Sequence, residues 1–258
     1  MSKLSVVIIT FNEERNIGRC LASVQQLADE IVVVDSGSED QTEAICRQYG
    51  ARFILHPFEG HIEQKNFALD QALYDNVLAL DADEEVSPGL HASILHCVHE
   101  GLPNTAYRFN RLSNYCGSWI RHGSWYPDIK LRLFCKSKAR WGGVNPHDKV
   151  ELLHGGTAKW IKGDLFHYSY LSVNEHIKKL DYFSDIAAGA YLKEGKRAGM
   201  FKILFRPCFA FIRDYILRRG FLDGFAGYQI ARLTAWYTFM KYIKLRQLTR
   251  QTPTSNKP

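Results

Sequence analysis

No stretch of 18 or more uncharged apolar residues occurs in the sequence, so no segment has the length and apolarity of a membrane-spanning helix. The first apolar run, residues 6–9, gives way at once to Asn12-Glu13-Glu14-Arg15 and lacks the longer apolar region of a signal peptide. Cysteine is present but unorganised: Cys20, Cys46, Cys97, Cys116, Cys135 and Cys208 form no C-x-x-C pair and no zinc-like spacing with histidine. A disulfide framework and a structural metal are therefore not expected, and a reducing cytoplasm fits. No G-x-G-x-x-G follows the first apolar run, which argues against a nicotinamide or flavin dinucleotide site. Gly189…Gly195-Lys196-Arg197 is one residue too long for a Walker A loop, has Arg where Ser or Thr belongs, and follows no strand. Without a G-x-S-x-G, a serine hydrolase is not expected either. Internal repeats and N-x-[ST] sequons are also lacking.

What is present is enough apolar material for a sizeable core, 46% of 258 residues, and an uneven charge distribution. The net charge of +6 divides into −5 for residues 1–195 (20 Lys+Arg, 25 Asp+Glu) and +11 for residues 196–258 (13 and 2). An acidic body with a basic tail points to an anionic surface as partner.

Residues 5–9, 31–34, 53–55 and 77–80 are short runs rich in Val, Ile and Leu, as parallel strands buried on both faces require. Helical segments of crossover length separate them, with Asn12 as N-cap of the first and Ser38 with Gln41 as a capping box for the second. This alternation predicts a doubly wound α/β half. Beyond it the sequence predicts a helix from Pro88 to about residue 100, strands at 106–112 and 130–135, irregular segments at 114–128 and 140–170, helix from Ser172 to about residue 248, and a frayed end at 251–258. The irregular segments are rich in aromatic and ionisable side chains, which makes them candidate walls of an acceptor site.

In an open α/β sheet, ligands bind beyond the carboxyl ends of the strands. Here the four strand ends run into Thr10-Phe11-Asn12-Glu13-Glu14, Asp35-Ser36-Gly37-Ser38, His56-Pro57-Phe58 and Asp81-Ala82-Asp83-Glu84. Residues two apart on a strand share a face, so Asp81 and Asp83 are expected to converge on one hard cation that completes its shell with phosphate and water. Asp35 suits hydrogen bonding to a base or ribose, or else a contact to the following helix. Phe11 suits stacking on a base or a place in the core. Lys65 suits a diphosphate or a solvated helix face.

These four ordered motifs, together with Gln64-Lys65-Asn66-Phe67-Ala68, resemble those of the inverting family 2 glycosyltransferases of GT-A fold. Trp125-Tyr126-Pro127-Asp128, Lys130-Leu131-Arg132-Leu133-Phe134, Pro146-His147-Asp148 and Arg219-Gly220-Phe221-Leu222-Asp223-Gly224 are similar to motifs of bacterial lipopolysaccharide core β-glucosyltransferases. The resemblance implies a UDP-sugar donor, with UDP-glucose first, held by Thr10, Phe11, Asn12, Glu14, Asp35, Lys65 and Asp81. Phe11 and Asp35 would meet the uridine, Lys65 the diphosphate, and Asp81 and Asp83 the ribose and a Mg²⁺ or Mn²⁺ ion. Inversion needs a carboxylate to take the acceptor's proton. Asp148 is the first choice for that base and Asp128 the alternative. His147 and His167 are candidates to complete the metal or diphosphate site, with His167 ahead as a ligand.

Residues 196–248 interleave aromatics with Lys and Arg in the manner of interfacial amphipathic helices on an anionic leaflet. The expected organisation is a GT-A catalytic domain over 1–170, a helical, basic, membrane-associating extension over 171–250, and a disordered tail over 251–258. In that domain, residues 1–100 form the donor half and 101–170 the acceptor half. The expected activity is transfer of a hexose to a lipid-linked saccharide, the lipopolysaccharide inner core, by a cytoplasmic protein peripheral on the inner membrane. Alternatives are another surface-polysaccharide or glycolipid pathway, or a non-catalytic protein whose basic tail binds nucleic acid or membrane. The acidic body and the four strand ends count against a nucleic-acid partner. Nucleotidyl transfer would call for a basic, glycine-rich loop after the first strand, where Thr10–Arg15 is acidic and glycine-free, and a glycosidase for two opposed carboxylates without a nucleotide site.

Overall fold

The computed structural model describes residues 2–144, 147–153 and 155–251. Its two compact units comprise residues up to 112 with 128–168, and 113–127 with residues from 169 on. The segment 113–127, read from sequence with the acceptor half, is thus counted with the helical tail.

In the first unit the chain runs β1 (Leu4–Thr10), α1 (Ile17–Val24), β2 (Glu30–Asp35), α2 (Thr42–Gln48), β3 (Arg52–Leu55), α3 (His61–Gln71) and β4 (Asn76–Asp81). Strand β1 pairs in parallel with both β2 and β4, and β2 with β3. The order β3-β2-β1-β4 therefore reverses direction between β1 and β4, the switch point where a crevice opens at the carboxyl edge. Leu4, Val6, Val7 and Ile8 are all buried, as a strand covered on both faces demands. Below one face, α1 contributes Ile17, Cys20, Leu21 and Val24, an i, i+3, i+4, i+7 stripe.

The sheet continues through β8 (Asp128–Cys135), antiparallel to β4, then β6 (Ala106–Tyr115), β11 (Ala158–Tyr170) and β5 (Glu84–Val86). Helix α4 (Pro88–His99) follows β5, with the Ser87 hydroxyl accepting the Leu90 N–H at 3.2 Å. β9 (Ala139–Val144) and β10 (His147–Leu152) form a separate antiparallel hairpin. The Asn66 side-chain amide of α3 donates to the Trp141 carbonyl (2.9 Å) and accepts the Trp141 N–H (3.1 Å), so the helix is clamped to β9 as another strand would be.

Three expectations need correction. Residues 140–170 hold three strands, because Gly-rich and aromatic stretches here still find ladder partners. Helix α1 starts at Ile17 and not beside Asn12, which instead adopts a positive φ of 52° and accepts the Glu39 N–H through its side chain at 2.9 Å. Ser38 does not cap α2: that helix begins at Thr42 and shows no side-chain cap, since the Ser38 hydroxyl is donated to Asp35.

In the second unit, β7 (Ser118–Trp119) pairs with the end of β6, and the helical part comprises α5 (Val173–Lys193), α6 (Met200–Phe211), a π-helical turn at Ile212–Leu217, a 3-10 turn at Gly220–Asp223 and α7 (Gly224–Gln251). Ser172 caps α5 by accepting the Glu175 N–H at 3.2 Å. Asp223 accepts the backbone N–H groups of Arg121 (3.1 Å) and His122 (2.8 Å) and meets the His122 ring at 2.8 Å, fixing the 113–127 segment onto the 3-10 turn. No helix among the described residues is long and apolar enough to cross a membrane. The frayed end expected from 251 lies, from residue 252 on, outside the described residues.

Candidate active site

Register alone brings the first residues together. Thr10 at the end of β1 pairs with Asp35 of β2, and its neighbour Ile9 pairs with Asp81 of β4, so the switch-point edge carries a carboxylate on each side of Thr10. Thr10 is buried, and its hydroxyl has no hydrogen-bond partner among the described residues. Phe11 is 56% exposed at the same edge, which places it outside the core. The Glu14 carboxylate accepts the Gln41 N–H at 3.1 Å. Asp35 turns its carboxylate to its own loop, accepting the N–H groups of Gly37 (2.8 Å) and Ser38 (2.7 Å) together with the Ser38 hydroxyl.

The centre of the edge is an ion network. Lys65, buried on α3, holds its ammonium 3.0 Å from Asp81 Oδ1 and 2.8 Å from Asp148 Oδ2 on β10. The other Asp81 oxygen accepts from Arg132 Nη2 at 2.6 Å, and the same Nη2 donates to Glu84 at 3.0 Å. Glu84 also meets Arg111 at 3.3 Å and accepts the Asp81 backbone N–H at 3.0 Å. Trp141 supplies the aromatic wall, with Lys65 Nζ 4.6 Å and the Arg132 guanidinium 5.1 Å from its ring centre. Burial works to raise the Asp81 carboxyl, but Arg132 and Lys65 outweigh it and hold it well below the usual carboxylate range. Burial likewise works against the Arg132 cation, yet Asp81 and Glu84 push its pKa up.

The two candidate bases differ in their surroundings. Asp128, first residue of β8, is gripped by Arg111 (2.8 Å) and Lys130 (3.0 Å), which outweigh burial and lower its pKa. Asp148 meets Lys65. Pro146 lies outside the described residues, as does the side chain of His147.

Asp83 does not share a strand face with Asp81, because β4 ends at Asp81 and Asp83 sits in the turn before β5. Its partner is His167 on β11, whose Nε2 is 3.2 Å from Asp83 Oδ2, and the strand pairing His167↔Glu84 sets that approach. Among the described residues no group of three or more His, Cys, Asp or Glu is arranged around one metal position. Asp83 and His167 have the donor chemistry to fit a cation of the kind that borrows most of its shell from phosphate and water, while Asp81 is committed to Lys65 and Arg132.

Arg132, Glu84, Arg111 and Trp141 were not singled out from sequence. An arginine between Leu131 and Leu133 in a strand-like run was the available signal, since a charge in such a place is kept only with a partner.

A parallel switch-point edge extended by antiparallel strands, with an aspartate of the D-x-D pair at its centre, defines a GT-A glycosyltransferase domain. The chain belongs to glycosyl transferase family 2, whose model matches residues 5–157. It is 32% identical to an uncharacterized glycosyltransferase of Rickettsia typhi over 96% of this chain and 88% of that one. With the lipopolysaccharide core biosynthesis glycosyltransferase LpsC of Rhizobium meliloti it shares 29% identity over 95% and 92%. The structure of glucosyl-3-phosphoglycerate synthase from Mycobacterium tuberculosis with Mn²⁺, UDP and glucosyl-3-phosphoglycerate matches at 25% identity and a TM-score of 0.36, over 44% of each chain.

Proposed function

We propose that this enzyme moves a hexose, glucose in the first instance, from a UDP-sugar to a lipid-linked saccharide of the lipopolysaccharide inner-core type, with inversion. The observation that carries the reading is the meeting of Asp81, Lys65 and Asp148 at the switch-point edge. The relative named for lipopolysaccharide core biosynthesis supports the acceptor class.

Phe11, exposed at the edge, offers a stacking surface for the uracil, and Thr10, Asn12, Glu14 and Asp35 shape the loops around the nucleoside. Lys65 brings positive charge to the diphosphate, where charge develops as the bond to the anomeric carbon breaks. Asp148 accepts the acceptor hydroxyl's proton while that oxygen attacks from the opposite face. Asp128 is the weaker candidate because two cations already hold its charge. Asp83 and His167 would hold Mg²⁺ or Mn²⁺, with Asp81 beside them. When bound, the ion supplies further neutralisation of the leaving nucleoside diphosphate.

Catalysis is assigned to residues 1–170 and attachment to the cytoplasmic face of the inner membrane to 171–250, on the strength of the tail's positive charge. The deciding measurement is thermal shift or calorimetry against UDP-, GDP- and dTDP-sugars with and without Mn²⁺ or Mg²⁺. Stabilisation by a UDP-hexose that needs the ion is expected. A chain that responds to none of these donors would overturn the UDP-hexose reading.

A further inference from the structure

The roles proposed for the residues of the active site leave the apolar surface of the second unit unused. Phe201, Phe205, Phe209, Leu217 and Phe225 are all more than half exposed on α6, the turns and the start of α7. A patch of that kind marks an interaction surface. Its charge has one sign. The acids between residues 196 and 251 are Asp214 and Asp223, both withdrawn from solvent: Asp214 is 1% exposed beside Arg213 at 2.7 Å, and Asp223 is taken by His122. Every exposed ionised side chain in that stretch is therefore a base.

Within this surface, α6 and the π-helical turn face α7 across a cleft of about 530 Å³, inside the roughly 300–1,000 Å³ range of ligand sites. Ile203, Pro207 and Phe211 line one side, and Trp236 and Phe239 the other, with Arg232 as the one charged lining residue. The lining on α6 and the first residue of the π-helical turn runs from residue 203 to 212, about 13 Å at roughly 1.5 Å per residue. The helices run antiparallel, since Phe211 meets Tyr228 at 6.1 Å while Ile203 clusters with Leu245. Arg232 thus stands at the Phe211 end of the slot. It has no carboxylate partner among the described residues.

An apolar slot with one guanidinium at its end is a poor site for a sugar or nucleotide, whose hydroxyls would go unpaired. It matches a hydrocarbon chain that ends in an anion. We propose that the slot binds one acyl chain of an anionic bilayer phospholipid, with Arg232 on the headgroup phosphate. The positive, apolar surface around it is complementary to the same leaflet. This inference builds on the membrane attachment proposed above and adds a discrete lipid site to it.

The test uses the full chain in two assays. In the first, lysophosphatidylglycerol or the phosphate-free monoacylglycerol, below aggregate-forming concentration, displaces an uncharged fluorescent fatty alcohol. In the second, the chain is sedimented with phosphatidylglycerol vesicles. Displacement with one site per chain is expected. Arg232→Ala should weaken lysophosphatidylglycerol at least tenfold and leave the phosphate-free monoacylglycerol unchanged. Ala235→Phe, which fills the slot, should abolish displacement by both, and both variants should still sediment. If Ala235→Phe fails to fold, the exposed Arg232 position carries the test alone. Absence of displacement by wild type, or displacement indifferent to Arg232→Ala, overturns the lipid site. Displacement without sedimentation overturns membrane attachment and leaves the lipid site standing.

Discussion

Lys65 Nζ lies 2.8 Å from Asp148 Oδ2, although 83 positions separate the two residues in the chain. The same ammonium is 3.0 Å from Asp81, so the residue assigned to the diphosphate joins the residue assigned as base to the strand end of the D-x-D pair. Asp148→Asn should lower kcat by roughly 10²–10⁴ and leave the donor KM near its wild-type value, because a general base acts in the transition state. Lys65 keeps Asp81 as partner in that variant, so the fold should persist. A collapse of kcat in Asp128→Asn with Asp148→Asn active would transfer the role to Asp128.

Asp83 and Arg132 should separate function from stability. Asp83 sits in a turn with His167, and Asp83→Ala should cost under about 1 kcal/mol of stability. Turnover and any ion-dependent response to the donor should be lost. Arg132 is 4% exposed and serves Asp81 and the fully buried Glu84. Arg132→Met leaves buried carboxylates short of a counter-charge and should destabilise by about 3–5 kcal/mol, read from urea unfolding. An active Asp83→Ala enzyme would remove that residue from the site.

Gly163 on β11 has φ +108°, and a methyl group there would run into the backbone of Gly89 and Leu90 at the start of α4. Backbone cannot yield as a flexible side chain does. Gly163→Ala should therefore destabilise the first unit by a few kcal/mol, roughly the sum of backbone strain and the clash, and lower the melting temperature accordingly. A variant that melts with wild type would show that β11 shifts freely on α4.

The parallel half was legible because its strands are buried on both faces and read as unbroken Val, Ile and Leu runs, so β1, β2 and β4 emerge within a residue or two of their expected ends. Strands β9 to β11 were not legible. Ala139–Val144 contains two adjacent glycines and β11 alternates charge with aromatics, so their pairing depends on partners far along the chain. The approach of Lys65 to Asp148 has the same cause: it follows from Asn66 clamping α3 to β9, a contact that no local pattern announces. The D-x-D pair was found by its motif, but its geometry was misjudged because β4 stops two residues short of Asp83, so the alternation does not carry that far.

His176 on α5 supplies a pH dependence with a definite sign. It is 4% exposed, stacked on Tyr170 with ring centres 4.4 Å apart, and its Nδ1 is 3.2 Å from the Tyr115 hydroxyl. Burial pushes its pKa down to about 4, and the Lys179 ammonium acts in the same direction against the smaller opposing effect of Glu175. The folded chain therefore keeps this ring neutral at a pH where the unfolded chain, with a histidine pKa of 6.5, binds a proton. Stability must fall as pH drops from about 6.5 toward about 4, and the loss is complete below the folded value. At about 1.4 kcal/mol per pKa unit the full effect is on the order of 3 kcal/mol. Urea midpoints followed by far-UV circular dichroism, which the helical unit dominates, should decline across that window in the wild type. His176→Asn retains a hydrogen-bonding group for Tyr115 and does not titrate, so its midpoints should be distinctly flatter there. Parallel curves for the two proteins would mean that His176 already accepts its proton in the folded state.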